Sequence, residues 1–368
     1  MPKSPLRIKT PGKLNIAGEF AVLEPHQNLI TMAVNRFVYT TIESSNQHLV
    51  TLENFGLHQL HWDYTNRHVH VAVDDTRVNF VKSAMEIALQ FLEEQSIAWE
   101  SFSLTVKSEL DDESGKKYGL GSSAAVSTSV ISAILTYFLP ERPTAKLVFQ
   151  LAATSHVATQ GNGSGADVAA SSHGGLLEYA SFQAEWLSEA YKNATDLHTL
   201  LQKDWKYLTI KPISIPSPIY MCIGWTGKPA STAKLVDQVL RLKLNDPQHF
   251  QLFLDESQEA VAKIGTGLRN GQYSQLMQGI KENRRALQKV GDKASVPIET
   301  PLLKTLCDLA EQYGGAGKSS GAGGGDCGIA FMPTKESADA LISAWERAGI
   351  KSLDLQLYPY GAKEDTLY

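Results

Sequence analysis

Cysteine is scarce in this chain. Its three, Cys222, Cys307 and Cys327, are odd in number and widely spaced, which argues for reduced thiols and against a disulfide framework. No C-x-x-C pair, H-E-x-x-H helix or G-x-S-x-G elbow is present, so common metal and serine-hydrolase signatures are missing. No apolar run is long enough to cross a bilayer; the best, 124–139, is punctuated by serine and threonine. The opening MPKSPLRIK lacks the apolar core of a signal peptide, and these absences together predict a cytoplasmic protein with no membrane partner. Positive charge is in deficit too. Lys and Arg number 34 against 39 Asp and Glu, a formal charge of -5, which argues against nucleic acid as a partner. A basic cleft inside an acidic protein still leaves small anions as ligands.

The remainder, 43% hydrophobic and 20% charged over 368 residues, is the composition of a globular protein too long for one core. The early stretches RIKT, LITMAVNRFVYTTIE, HQLHWDYTNRHVHVAV and SFSLTVKSEL favour strands by their β-branched and aromatic alternation. Helical spacing predicts helices over 78–94, 123–139 and 147–159. GNGSGADVAASSHGG breaks the last of these before a strand, GLLEYASF. Strands over 208–215 and 219–225 flank the proline-rich IKPISIPSP. Helices follow near 231–244, 247–267, 272–290 and 300–313, then a glycine-rich loop, a strand GIAFMP, a helix near 335–348 and a last strand LDLQLY. The expected class is α+β in two domains, 1–211 rich in strands and 212–368 rich in helices. A monomer or homodimer is expected.

Four stretches carry chemistry. KYGLGSSAAVSTSV, 117–130, has the glycines of a phosphate loop without the lysine of a Walker motif. Its helix has no acid before Glu141, so the positive end is left open to an external anion. Taken alone, the stretch serves equally as a glycine turn before a closely packed helix. In AGKSSGAGGGDCGIAF, eight of the 28 glycines fall between Gly314 and Gly328 and run straight into an apolar strand. That favours an anion-binding loop over a linker. TPGKLNIAGEFAVLE places Lys13 in an apolar segment, with Glu19 either orienting it or standing as a solvated acid. In GNGSGADVAAS, Asp167 is the sole carboxylate between Thr144 and Leu177, a candidate metal or catalytic group. His58, His61, His68 and His70 fall on a predicted hairpin with no Cys or carboxylate set to complete a metal site. Cys327 reads as small buried packing rather than a nucleophile.

In this order, PGKLNIAGEFAVLE, KYGLGSSAAVSTSV and KSSGAGGGDCGIAF resemble the three signature motifs of the GHMP kinases, over essentially the whole chain. The Asp-Cys after the glycines is similar to members whose acceptor is 5-phosphomevalonate. The resemblance implies a two-domain fold with ATP and Mg2+ in the cleft between domains. Gly119, Leu120, Gly121, Ser122, Ser123 and Ala124 would cradle the phosphates, with Ser123 and Ser122 helping to hold magnesium. Lys13 and Asp167 would flank the transferring group. Asn162, Ser164, Ser320 and Gly321, with Lys13, would contact the small-molecule acceptor. A phosphate acceptor, second pKa ~6, is already ionised at neutral pH and needs little deprotonation. Asp167 is therefore expected to orient rather than abstract a proton, with Lys116 and Lys117 adding charge at the cleft mouth. A small-alcohol kinase of the same family, or a nucleotide-dependent sensor without catalysis, are the alternatives.

Overall fold

The computed structural model describes residues 3–112, 115–216, 218–228 and 232–366. Glu113 and Ser114 of the loop DDESGKK, Ser217 of IKPISIPSP and Ser231 at the start of the predicted helix 231–244 lie outside the described residues.

The chain opens with β1 (Leu6–Ala17), β2 (Asn28–Ser44), β3 (Leu49–Leu52), β4 (Leu57–Thr65) and β5 (His68–Val71). Then come α1 (Asn79–Glu94), β6 (Phe102–Ser108), α2 (Ser122–Phe138), α3 (Ala145–Gln160), α4 (Ala166–His173) and β7 (Leu176–Ala180). α5 (Ala184–Lys192), α6 (Leu197–Gln202) and β8 (Thr209–Pro212) lead to β9 (Tyr220–Trp225) and the helices α7 (Thr232–Asn245), α8 (Pro247–Asn270), α9 (Tyr273–Ala294) and α10 (Pro301–Gln312). Last are β10 (Ala316–Ser319), β11 (Cys327–Met332), α11 (Lys335–Arg347), β12 (Lys351–Ser352) and β13 (Lys363–Asp365).

Among the described residues, nine strands form one sheet whose main path is β13-β1-β2-β6-β3-β4-β5. β2 is long enough to pair with β7 through its first half and β6 through its second, both antiparallel. β4 and β5 are joined through Asn66 and Arg67, both left-handed at φ 54° and 65°, as a tight hairpin turn requires. Helices α1, α2, α3 and α4 bury their apolar faces in one core with this sheet. α2 reads as apolar almost all round because even Ser127, Thr128 and Ser129 are fully buried, with Ser129 accepting a hydrogen bond from Thr40. The second sheet has the order β10-β11-β9-β12, all antiparallel. Its core holds the fully buried Trp345, whose indole N–H donates to Leu306 O at 3.0 Å. No helix among the described residues is long and apolar enough to cross a membrane.

Most expected elements lie where the periodicity predicts. LDLQLY does not form a strand of its own. Leu353 and Leu355 are buried in alternation, which mimics a strand, yet the segment divides its bonds: Leu353 N–H donates to Ile223 O of β9, while further along Leu357 forms a bridge with Val34 of β2 and Gln356 N–H donates to Asn35 Oδ1. The chain end then returns to the first sheet, where β13 pairs with β1. ADVAASSH, expected to continue a break, is α4: small residues let it lie buried against β1, with Ser171 Oγ donating to Pro11 O at 2.8 Å. AGKS, expected as loop, is β10.

Candidate active site

Most helices of the second half begin under a side-chain cap. Asp246, Thr300 and Thr334 accept from backbone N–H groups, and Pro247 and Pro301 stand in the first turn of α8 and α10. α2 differs. Its cap is Gly121, left-handed at φ 76°, with no side-chain cap bond and no acid in the first turn. Its first residues, Ser122 and Ser123, line a cleft of about 350 Å³ that lies where the two halves meet.

Lys13 reaches this end from β1. Its backbone N–H donates to Leu120 O at 2.9 Å and its ammonium donates to Gly119 O at 3.2 Å. The pairing of β1 with the loop therefore sets the lysine in place. Asp167 arrives from the first turn of α4, its Oδ1 accepting from Val168 N at 3.0 Å. A Cβ on Gly121 would lie 3.0 Å from Lys13 Cγ and 3.3 Å from Asp167 Cβ, so glycine is needed where these two side chains close on the loop. Gly121→Ala should keep the fold but lower kcat/KM by roughly 10²-fold, the scale of a 1 Å displacement of reacting groups. Steady-state kinetics beside a thermal unfolding curve would separate the two; unchanged kcat/KM would contradict the packing.

The structure brings Lys13, Asp167, Gly119, Leu120 and Gly121 to the cleft wall, and Ser122, Ser123, Ser164 and Gly321 with them. Ala124, Asn162 and Ser320 do not line it. Ala124 is buried inside α2. Asn162 is exposed and accepts from Gln160, and Ser320 donates its hydroxyl to Asn15 O at 2.8 Å. Lys117 borders the cleft, whereas Lys116 is exposed away from its wall. Tyr179 donates to Ser164 O at 2.5 Å, and burial, with Asp167 beside it, pushes its phenol well above the ordinary range. The Cys327 thiol donates to Tyr118 O at 3.2 Å and is also pushed well up by burial and then Asp326, which suits packing and not nucleophilic chemistry.

Glu19 departs from both expectations for it. It is neither solvated nor bonded to Lys13: Lys318 Nζ donates to its Oε1 at 2.6 Å, with both side chains almost wholly buried. Gly321 N–H donates to the same oxygen at 3.2 Å. The pair ties the first motif to the glycine-rich loop across 299 residues. Beside it, Phe20 packs among Leu235, Val239 and Phe253 of the second half at a strained φ of 62°. Lys318→Met leaves a buried carboxylate uncompensated and should cost roughly 3–5 kcal/mol of stability, much of it recovered in Glu19→Gln/Lys318→Met. Urea unfolding of the two variants checks this; equal losses in both would contradict it.

Sequence reasoning passed over His156. It lies in α3, is 3% exposed, and its Nε2 is 3.1 Å from Ser123 Oγ. It reads as one more residue of an apolar helix, and only the fold brings it against the second motif.

Comparison with known proteins bears on this geometry. Residues 79–175 match the family GHMP kinases N terminal domain, and residues 266–351 match GHMP kinases C terminal. A phosphomevalonate kinase of Streptomyces sp. (strain CL190) is 33% identical over 359 residues, 94% of this chain and 95% of that protein. The solved Lin0012 protein of Listeria innocua superposes with a TM-score of 0.92 at 40% identity, over 98% of this chain and 99% of that one. Streptococcus pneumoniae phosphomevalonate kinase, solved in complex with phosphomevalonate and AMPPNP, superposes with a TM-score of 0.83 at 26% identity, over 97% and 100%.

Proposed function

This chain belongs to the GHMP kinase family, and we propose that it transfers the γ-phosphoryl group of ATP to the phosphate of 5-phosphomevalonate, releasing ADP and the diphosphate. The observation that carries the kinase reading is the convergence of Lys13, the uncapped α2 end and Asp167 from three distant segments on one cleft. The likeness to a kinase solved with phosphomevalonate and AMPPNP supports the choice of acceptor.

The residues present fit a magnesium–nucleotide pair: an open helix N-terminus for phosphates, serine hydroxyls beside it, and a carboxylate and an ammonium within the same wall. Ser122 and Ser123 would hold Mg2+ bound to the phosphates, and Asp167 would hold or orient it. When bound, the ion would supply positive charge that offsets the phosphates. The chain's own groups do the rest. Gly119 to Ser123 grip the phosphates through backbone amides. Lys13 offsets the charge that builds where two phosphates meet. An oxygen of the acceptor forms its bond to the γ-phosphorus as the bond to the ADP oxygen breaks. Because the acceptor is mostly dianionic at neutral pH, no proton has to leave it first.

ADP release measured with mevalonate, phosphomevalonate, galactose and homoserine tests the proposal. Turnover with phosphomevalonate alone is expected. Turnover of the alcohols only would reassign the acceptor, and no ADP from any of them would favour a nucleotide sensor.

A further inference from the structure

We propose that His156 is a positioning residue that takes the hydrogen of the Ser123 hydroxyl and so turns that oxygen's lone pairs toward a phosphate-bound divalent cation. The inference rests on the reading that the second motif holds a metal–nucleotide complex, and it does not depend on the acceptor.

A serine hydroxyl has one hydrogen and two lone pairs. A hard cation is served only by the lone pairs, and a hydroxyl free to rotate can turn its hydrogen toward the metal or lend it to a phosphate oxygen. The Ser123 Oγ to His156 Nε2 distance of 3.1 Å provides a fixed place for that hydrogen. With its proton on Nδ1, the imidazole accepts at Nε2, and the serine is left as an acceptor toward the cleft. The ring has little freedom to leave this role. It is 3% exposed and stacked on Phe80, with centroids 5.3 Å apart and planes inclined by 28°. His156 also lines the cleft itself, as do Ser123 and Gln160.

The setting makes the orientation of one hydroxyl matter. Among the described residues no group of three or more His, Cys, Asp or Glu side chains is arranged to hold a metal ion. In the reading above the chain offers the cation the hydroxyls of Ser122 and Ser123 and the Asp167 carboxylate, so the orientation of each weighs in its binding. Partners behind a metal ligand typically alter metal affinity by roughly 10–100-fold when removed.

The test is binding of ADP to the full chain by calorimetry, once with Mg2+ and once with EDTA, in the absence of any acceptor. His156→Phe keeps a ring to pack on Phe80 and removes the nitrogen. It should reduce the gain in ADP affinity that Mg2+ confers by roughly tenfold while leaving metal-free ADP affinity unchanged. His156→Gln, whose amide oxygen accepts a hydrogen bond, should restore much of that gain. Adding His156→Phe to Ser123→Ala should change nothing further, because the pair acts as one unit. Equal loss of affinity with and without Mg2+, or additive losses in the double variant, would overturn the proposal and leave His156 a packing residue. Failure of the unaltered protein to bind ADP more tightly with Mg2+ would overturn it together with the reading beneath it. A result in which only the acceptor proves to be different would leave it standing.

Discussion

Lys13→Met should leave the protein folded and lower kcat by roughly 10³-fold or more, the largest effect of any single replacement in the cleft. The size follows from charge. Unit charges about 4 Å apart attract by roughly 4 kcal/mol at an effective dielectric of ~20, which is about three powers of ten in rate. Joining two phosphates asks for that attraction most when the transferring group lies between them. The α2 dipole and the backbone amides of Gly119 to Ser123 still bind the ground-state nucleotide without Lys13, so the affinity for ADP should change far less than kcat. Methionine preserves the stem that packs beside Gly121, and Lys13 is only half-buried, so the fold loses little. Single-turnover rates with an unfolding curve measure both. A variant within tenfold of the normal rate would remove Lys13 from the mechanism.

Asp167→Asn should lower kcat by roughly 10³-fold at every pH, which distinguishes an orienting carboxylate from a base. The second ionisation of the proposed acceptor, near ~6, should make the normal rate rise through that region and then level. With Asp167 orienting Lys13, metal or acceptor, the asparagine variant keeps the same rise and levels lower. Were Asp167 a base, the lost rate would return as the acceptor ionises by itself. The Asp167 Cβ lies against the Gly121 position beside the Lys13 stem, so the carboxylate is carried on the same wall as the loop and the lysine. A pH–rate profile from 5 to 9 for the two proteins decides the point.

Much of this site was legible because its residues break local patterns. Lys13 is a charge in an apolar strand, Asp167 a lone acid among small residues, and the α2 end lacks the acid that usually completes it. What stayed hidden involves partners remote in sequence. Glu19 finds Lys318 across 299 residues, and no periodicity announces such a pair. His156 finds Ser123 only because α3 packs on α2. At the level of elements, α4 escaped notice since its small side chains show no apolar stripe. α5 offered a signal that was passed over, with Leu187 and Ala190 buried one turn apart in AEWLSEAYK. LDLQLY shows the opposite error: alternation records alternate burial, and a strand also requires a continuous run of bonds to one neighbour, whereas this segment bonds to β9 at Leu353 and to β2 near Leu357.

Phosphorus NMR of the products from ATP with 5-phosphomevalonate, and in parallel with mevalonate, tests most directly whether this cleft joins two phosphates. New coupled diphosphate resonances, beyond those of ADP, are expected from phosphomevalonate and no phosphomonoester from mevalonate. A new monoester signal from mevalonate, with phosphomevalonate left unchanged, would contradict it.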